Sequence, residues 1–394
     1  MLWAGERATI TGKVLETSGT PVEHATIVVY EAGTKKGYSS YCPTCWVDCG
    51  KRTISDGKGD FTIRGLDPDL WFTLLVVHEG YSATYIKKVD PAEGTAHDAV
   101  LTPRPQINDV SQVVRGTVVN PYGHPIRYAL VEQEGVTVPG KNGEPGFTGF
   151  GPRGWIDEMV ATNEKGEFEI AYSKPAVRMI LQVSARGMAP KLFTETTGGE
   201  RKTLALAEGA VIRGRLIQNG KPVANAEVGL VTHDRMSGAM FPEMRVGTRE
   251  DGTFVFTNVP AGRIWVLYPK MESLASRDIG ADVVLCETKD NGQEVDVGDI
   301  SLKPAYRLKG RVTLSDGKTI PPDMHVTLSA DRAWDSQIVP IKADGSFEFD
   351  GLPSSVYSVS PGVRGYHLEA GFGLEVLVNR DVNDFSAPMQ IGNR

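Results

Sequence analysis

Two short landmarks recur four times along the chain, and their spacing constrains the fold more than any other feature. The first is a glycine inside an alternating segment, at residues 8–14, 113–119, 211–217 and 307–313. The glycines are Gly12, Gly116, Gly214 and Gly310, in steps of 104, 98 and 96 residues. The second is a polar turn running into a phenylalanine, as in Asp56-Gly57-Lys58-Gly59-Asp60-Phe61 and Ala343-Asp344-Gly345-Ser346-Phe347. The phenylalanines are Phe61, Phe168, Phe254 and Phe347, in steps of 107, 86 and 93. Two independent marks with one shared period point to a single structural unit copied four times. Each copy has the length of a small domain.

The local chemistry says what kind of unit this is. The glycine segments alternate apolar and polar residues, which predicts a half-buried strand. The glycine inside each marks a bulge or a close backbone approach. Turn residues follow at Ser18-Gly19-Thr20-Pro21, Asn120-Pro121-Tyr122-Gly123, Asn219-Gly220-Lys221-Pro222 and Ser315-Asp316-Gly317-Lys318. Asn-Gly and Asp-Gly supply the positive φ that tight hairpins need. A second strand is expected next, as at residues 25–30 and 226–231. The phenylalanine segments alternate too, which makes Phe61, Phe168, Phe254 and Phe347 core anchors. An apolar strand follows each, at residues 71–77, 178–183, 263–268 and 355–359.

Short strands between turn signals, with no long helical period, predict Ig-like antiparallel sandwiches. The expected fold is all-β, four such sandwiches in tandem over residues 1–103, 104–207, 208–303 and 304–394. Linkers at Thr102-Pro103-Arg104-Pro105, Ala207-Glu208-Gly209 and Lys303-Pro304-Ala305 leave little slack, so a semi-rigid rod or arc is expected.

Composition narrows function by exclusion. Of 394 residues, 40% are hydrophobic and 23% charged, which suits a folded chain. The net charge of −7 argues against a nucleic-acid partner. No apolar run reaches about 18 residues, so no membrane-spanning helix is expected. Met1-Leu2-Trp3-Ala4-Gly5 is too short for a charged region plus an apolar core of about 7–15 residues. A cytoplasmic chain and a mature exported chain both fit, and the repeat type favours export.

In the first repeat Gly12, Val14, Pro21-Val22, Ala25, Ile27, Asp56, Gly59, Phe61 and Gly65-Leu66 form one pattern. In the third, Gly214, Pro222-Val223, Ala226, Val228, Asp251-Gly252 and Phe254 repeat it. This pattern resembles carboxypeptidase regulatory-like domains, which belong to the prealbumin-like sandwiches together with collagen-adhesin B-type repeats. The second and fourth repeats depart, with Ile126 in place of Val and with Pro321-Pro322-Asp323-Met324. The resemblance implies a structural module of exported bacterial proteins, at the cell surface, outside the cell or in the periplasm. Such modules act as spacers, as adhesive or assembly units, or as appendages to enzymes. It carries over no catalytic residue. Adhesin-type relatives form Lys–Asn crosslinks, and Lys13 stands at a matching first-strand position. Thr117, Arg215 and Arg311 stand there in the other repeats, so the pattern does not recur.

The most unusual segment is a long insertion at residues 31–52. It holds Cys42, Cys45 and Cys49 within eight residues. In an oxidising compartment a Cys45–Cys49 or Cys42–Cys49 disulfide would staple the loop, leaving one thiol for Cys286 or another chain. Three thiolates could instead hold a soft metal, with Cys286, His24, His78 or Asp48 as fourth ligand. Reduced thiols are the third reading. The run lacks the paired motifs of a closed zinc site and the four-Cys run of an iron–sulfur protein, and no cofactor is expected.

Tyr38, Tyr41 and Trp46 share that insertion. Phe147, Phe150 and Trp155 sit in or beside the glycine-rich loop 135–154, and Trp334 stands apart. Such rings can stack on sugars or anchor a protein partner, or they can cap the ends of their own sandwiches. The seven histidines are scattered without metal-site spacing. No G-x-S-x-G elbow appears, and Asp56, Asp60, Asp251 and Asp344 read as turn residues.

The expected function is therefore a non-catalytic, exported structural or interaction protein that presents loops for assembly or adhesion. Its partner would be another protein or a second copy of itself. A carbohydrate- or peptide-binding module appended to an extracellular enzyme system is the alternative, and a glycan its ligand. A metal or redox protein built on Cys42, Cys45 and Cys49 is a further one.

Overall fold

Each recurrent glycine faces the recurrent phenylalanine of its own repeat across an antiparallel strand pair. The register pairs Gly12 with Phe61, Gly116 with Phe168, Gly214 with Phe254 and Gly310 with Phe347. This comes from a computed structural model, which describes residues 7–39, 41–107, 109–151, 153–196, 200–234 and 241–392. The Met1–Gly5 stretch lies outside the described residues.

The same strand plan is built four times. In the first sandwich, Ala8–Glu16 runs between Asp60–Leu66, antiparallel to it, and Ala99–Leu101, parallel to it. The facing sheet has the order Arg52–Ile54, Thr26–Thr34, Leu70–Val77, Thr84–Val89. In the second, Val113–Val119 lies between Glu167–Ala171 and the parallel Lys202–Ala205. Its facing sheet contains Pro145–Phe150, Leu130–Pro139, Arg178–Ser184 and Lys191–Thr196. In the third, Ala210–Gln218 lies between Thr253–Val259 and the parallel Glu294–Ser301. In the fourth, Tyr306–Leu314 lies between Ser346–Leu352 and the parallel Val382–Ile391.

Alternation fills the space between the sheets. Ile10, Gly12 and Val14 point inward from Ala8–Glu16 and meet Phe61, Ile63, Phe72 and Leu74. The second core gathers Val114, Val118, Phe168, Ile170 and Leu181, and the fourth Leu308, Val312, Phe347, Phe349 and Tyr357. In the third sandwich the indole of Trp265 is fully buried, and its Nε1 donates to Thr288 Oγ1 at 3.0 Å. That bond removes the penalty of burying a polar N–H. The fold is therefore all-β. Among the described residues the one α-helix is Met271–Leu274, and no helix is long and apolar enough to cross a membrane.

The chain divides into two compact units, Met1–Gly33 with Pro43–Glu208, and Thr34–Cys42 with Gly209–Arg394. In the first unit, Val28, Leu75, Val77, Leu130 and Met159 join outward faces of two sandwiches. This explains why Leu70–Val77 is apolar on both faces.

Candidate functional site

The insertion at residues 31–52 does not behave as one loop. Thr26–Thr34 extends past the expected strand end, and Thr34–Cys42 belongs to the second unit. There Tyr38 is held by backbone. Its N–H donates to the Asp323 carbonyl at 3.1 Å, and His325 Nδ1 lies 3.2 Å from its carbonyl oxygen. Arg364 donates to the Gly37 carbonyl at 3.3 Å and sits 5.7 Å from the centre of the Tyr38 ring. Gly37 has a φ of +72°, and a Cβ there would fall 1.6 Å from the Asp323 carbonyl oxygen. The approach is open only to glycine.

This segment helps to wall a cleft of about 240 Å³ on the fourth sandwich. Its floor comes from strand alternation. His325–Ala330 buries Val326 and Leu328 and turns Thr327 and Ser329 to the other face. Ser355–Gly362 buries Tyr357 and Val359 and turns out Ser358 and Ser360. Cross-strand register sets Thr327 beside Ser360, and Ser329 beside both Ser358 and Ser336. The result is a strip of hydroxyls. Ser329 and Ser336 lie 2.9 Å apart, oxygen to oxygen, and Ser360 donates to the Phe372 carbonyl at 2.6 Å.

Aromatic rings rim the strip. Tyr38, Tyr41, Tyr366, His367 and Phe372 all line the cleft, with Cys42. Tyr366 donates from its hydroxyl to Asp316 at 2.9 Å. Phe372 is 88% exposed, directly after a turn closed by the Leu368–Gly371 bridge. No Asp, Glu, Lys or Arg is among the described lining residues.

The other expected site residues disperse. Trp46 and Cys49 pack against the first core, and Trp155 packs against the second. Phe150, at the end of the edge strand Pro145–Phe150, is half exposed and lies against Gly135. Trp334 is partly exposed. No disulfide joins the four cysteines, so the stapled-loop expectation finds no pair here. Cys42 and Cys45 are exposed. The Cys49 thiol donates to the Pro43 carbonyl at 3.3 Å. Cys286 is buried on Val284–Thr288, opposite Trp265, and burial pushes its thiol up to about 11. Among the described residues no group of three His, Cys, Asp or Glu is placed to hold a metal. The Cys45–Cys49 segment carries the buried Asp48. That buried carboxylate accepts from Arg7 at 3.1 Å, Lys51 at 2.7 Å and the Asp67 N–H at 2.8 Å. Lys13 pairs with Asp60 at 2.6 Å on the surface.

A buried charge cluster and a half-buried pair of carboxylates were not legible as motifs. In the second unit, Lys270 is 3% exposed and lies 2.9 Å from Glu243 and 3.4 Å from Asp335. Arg245 and Tyr268 also bond Glu243, and Asp335 accepts from the Met271 N–H at 2.8 Å. Burial works against the Glu243 charge, but Lys270 and Arg245 outweigh it and hold the carboxyl below its ordinary value. Burial lifts Asp335 above its ordinary value, and Lys270 offsets this only in part. In the first unit, Glu132 and Glu134 lie on Leu130–Pro139. Burial raises them to about 8 and about 7, the Glu134 charge adding to the effect on Glu132 and Arg52 opposing it.

Comparison with known proteins bears on the first sandwich. No curated protein matches the chain. Among solved structures, a streptococcal ancillary pilin is 12% identical with a TM-score of 0.26, over 60% of this chain and 82% of that one. The Bacillus anthracis TIE protein is 12% identical with a TM-score of 0.21, over 99% and 76%. The minor pilin GBS52 of Streptococcus agalactiae is 11% identical with a TM-score of 0.24, over 47% and 98%. The sequence profile of the carboxypeptidase regulatory-like domain matches residues 9–102, the span from the opening strand to the end of the parallel closing strand. The first sandwich is thus similar to the carboxypeptidase regulatory-like domain over nearly its whole length.

Proposed function

We propose that this protein is an exported, non-catalytic structural and interaction protein. In this reading four sandwiches, with boundaries near residues 104, 208 and 304, present loops for assembly or adhesion. One observation carries it: the residues that recur are spent on shape. The four glycine–phenylalanine pairs are register partners across the same two strands. The recurrent Asp56, Asp251 and Asp344 carboxylates accept from backbone N–H groups of their own turns. Exposed edge strands such as Pro145–Phe150 offer unpaired backbone to a neighbouring chain. Multi-angle light scattering and electron microscopy of the full chain over a hundredfold concentration range test the reading. Growth into larger particles is expected. A strictly monomeric particle throughout overturns self-assembly.

A second reading, a carbohydrate-binding module, is favoured by the aromatic and hydroxyl cleft of the second unit.

A further inference from the structure

We infer that the cleft formed by Tyr38, Tyr41, Tyr366 and Phe372 over the Thr327–Ser329–Ser360 strip binds a neutral saccharide. This rests on the interaction role proposed above and names the ligand of one presented surface.

The chemistry of the walls selects the ligand. A sugar ring offers an apolar C–H face and a rim of hydroxyls. Aromatic side chains provide large, rigid apolar surface with few torsions to freeze. Serine and threonine hydroxyls both donate and accept, so they satisfy a hydroxyl rim in either sense. Here the two kinds of group occupy separate places, the rings at the margin and the hydroxyls on the sheet floor.

Charge sets the subclass. A carboxylated or sulfated sugar needs a cation to offset desolvation of its own charge. Among the described residues the lining holds no Lys or Arg. Arg364 is engaged by the Gly37 carbonyl and the Tyr38 ring. The cleft, about 240 Å³, is smaller than the roughly 300–1,000 Å³ of sites that enclose drug-sized ligands. It suits one or two sugar units, such as the end of a chain.

The site is also pre-built. The floor is sheet, locked by backbone pairing on both sides of His325–Ala330. Gly373 permits the close approach of the Phe372 turn, since a Cβ there would lie 2.0 Å from Ser358 Oγ. Binding to such a surface orders few side chains, which limits its entropic cost.

The test is an array of neutral and acidic oligosaccharides probed with the full chain, followed by titration calorimetry on the best neutral binder. Binding of neutral saccharides is expected. Phe372→Ala should weaken it about tenfold, the scale of one lost anchoring ring. Because Phe372 is largely exposed, this variant keeps the core. Thr327→Val, which preserves shape and removes the hydroxyl, should weaken binding as well. The bound saccharide should slow alkylation of Cys42, read by peptide mapping, and leave Cys45 unchanged. Binding indifferent to Phe372→Ala and Thr327→Val overturns the assignment, as does recognition of acidic sugars alone or of peptides with no saccharide. If no saccharide binds while particles still grow in light scattering, the saccharide inference fails and the interaction reading stands.

Discussion

A Cβ placed on Gly310 would lie 2.4 Å from Cζ of Phe347, its partner across the strand pair. The same overlap arises at Gly116, 2.3 Å from Phe168, at Gly214, 2.7 Å from Phe254, and at Gly12, 2.8 Å from Phe61. Each phenylalanine brings the tip of its ring over a residue that has no side chain. We therefore expect Gly310→Ala to destabilise the fourth sandwich by about 1–3 kcal/mol, the usual cost of overpacking a core. In the Phe347→Leu background the same change should cost clearly less, because the two sites share one space. Urea unfolding of all four species gives the coupling. Strict additivity would sink the packing account.

Lys270 stands between two buried carboxylates. Removing its charge takes from the buried Asp335 the cation beside it and leaves Glu243 with Arg245 and Tyr268. Lys270→Met should cost about 3–5 kcal/mol, as for other broken buried pairs. Adding Asp335→Asn should recover part of the loss, because the amide oxygen can still accept from the Met271 N–H. A Lys270→Met protein with unchanged urea midpoint would show that the cluster adds no stability.

Glu132 and Glu134 predict a pH dependence for the first unit. Their folded values, about 8 and about 7, exceed the unfolded value near 4.3. The folded state thus holds more protons between these limits. Stability is greatest below about pH 4.3 as far as these groups act, and falls as pH rises toward about 8, by at most ~1.4 kcal/mol per pH unit for each carboxyl. Denaturation of the full chain from pH 5 to 8.5 should show the decline. The Glu132→Gln/Glu134→Gln variant should flatten it, and parallel curves for the two proteins would contradict the assignment.

Thiol chemistry should separate the cysteines. Cys42 and Cys45 are exposed, while Cys286 is buried with its thiol pushed up to about 11. Only the thiolate reacts, so iodoacetamide at pH 8 should modify Cys42 and Cys45 well before Cys286. Labelling of Cys286 should await unfolding. Mass spectrometry of timed digests measures the order, and early modification of Cys286 would contradict its burial.

The repeat plan was readable because each copy wrote the same two positions into the sequence, and a register pair leaves a fixed mark at Gly12 and Phe61. The cleft was half readable. Tyr38 and Tyr41 stood out as aromatic residues in an insertion. Their partners Tyr366 and Phe372 are more than 300 residues away in sequence, and nothing local ties the two sets together. A trace of the floor did exist, in Thr327-Leu328-Ser329 and Ser358-Val359-Ser360. Alternation tells that one face is apolar and the other polar, and does not tell what covers the polar face. The cluster at Lys270 had no signal, because Glu243, Lys270 and Asp335 meet only through tertiary packing. Cysteine spacing marked the segment, and gave no sign of the buried, ion-paired Asp48 that lies within it.

The parallel pairing of first and last strands has a mechanical consequence. In every repeat the strand that enters the sandwich lies alongside the strand that leaves it, pointing the same way. Pulling the two ends apart therefore slides one strand along the other and strains their shared hydrogen bonds together, where a hairpin would open one rung at a time. The patch is short in the first repeat, Val14–Glu16 against Ala99–Leu101, and long in the fourth, Leu308–Leu314 against Val382–Met389. Under tension the links of this chain would give way in order, the first sandwich before the fourth.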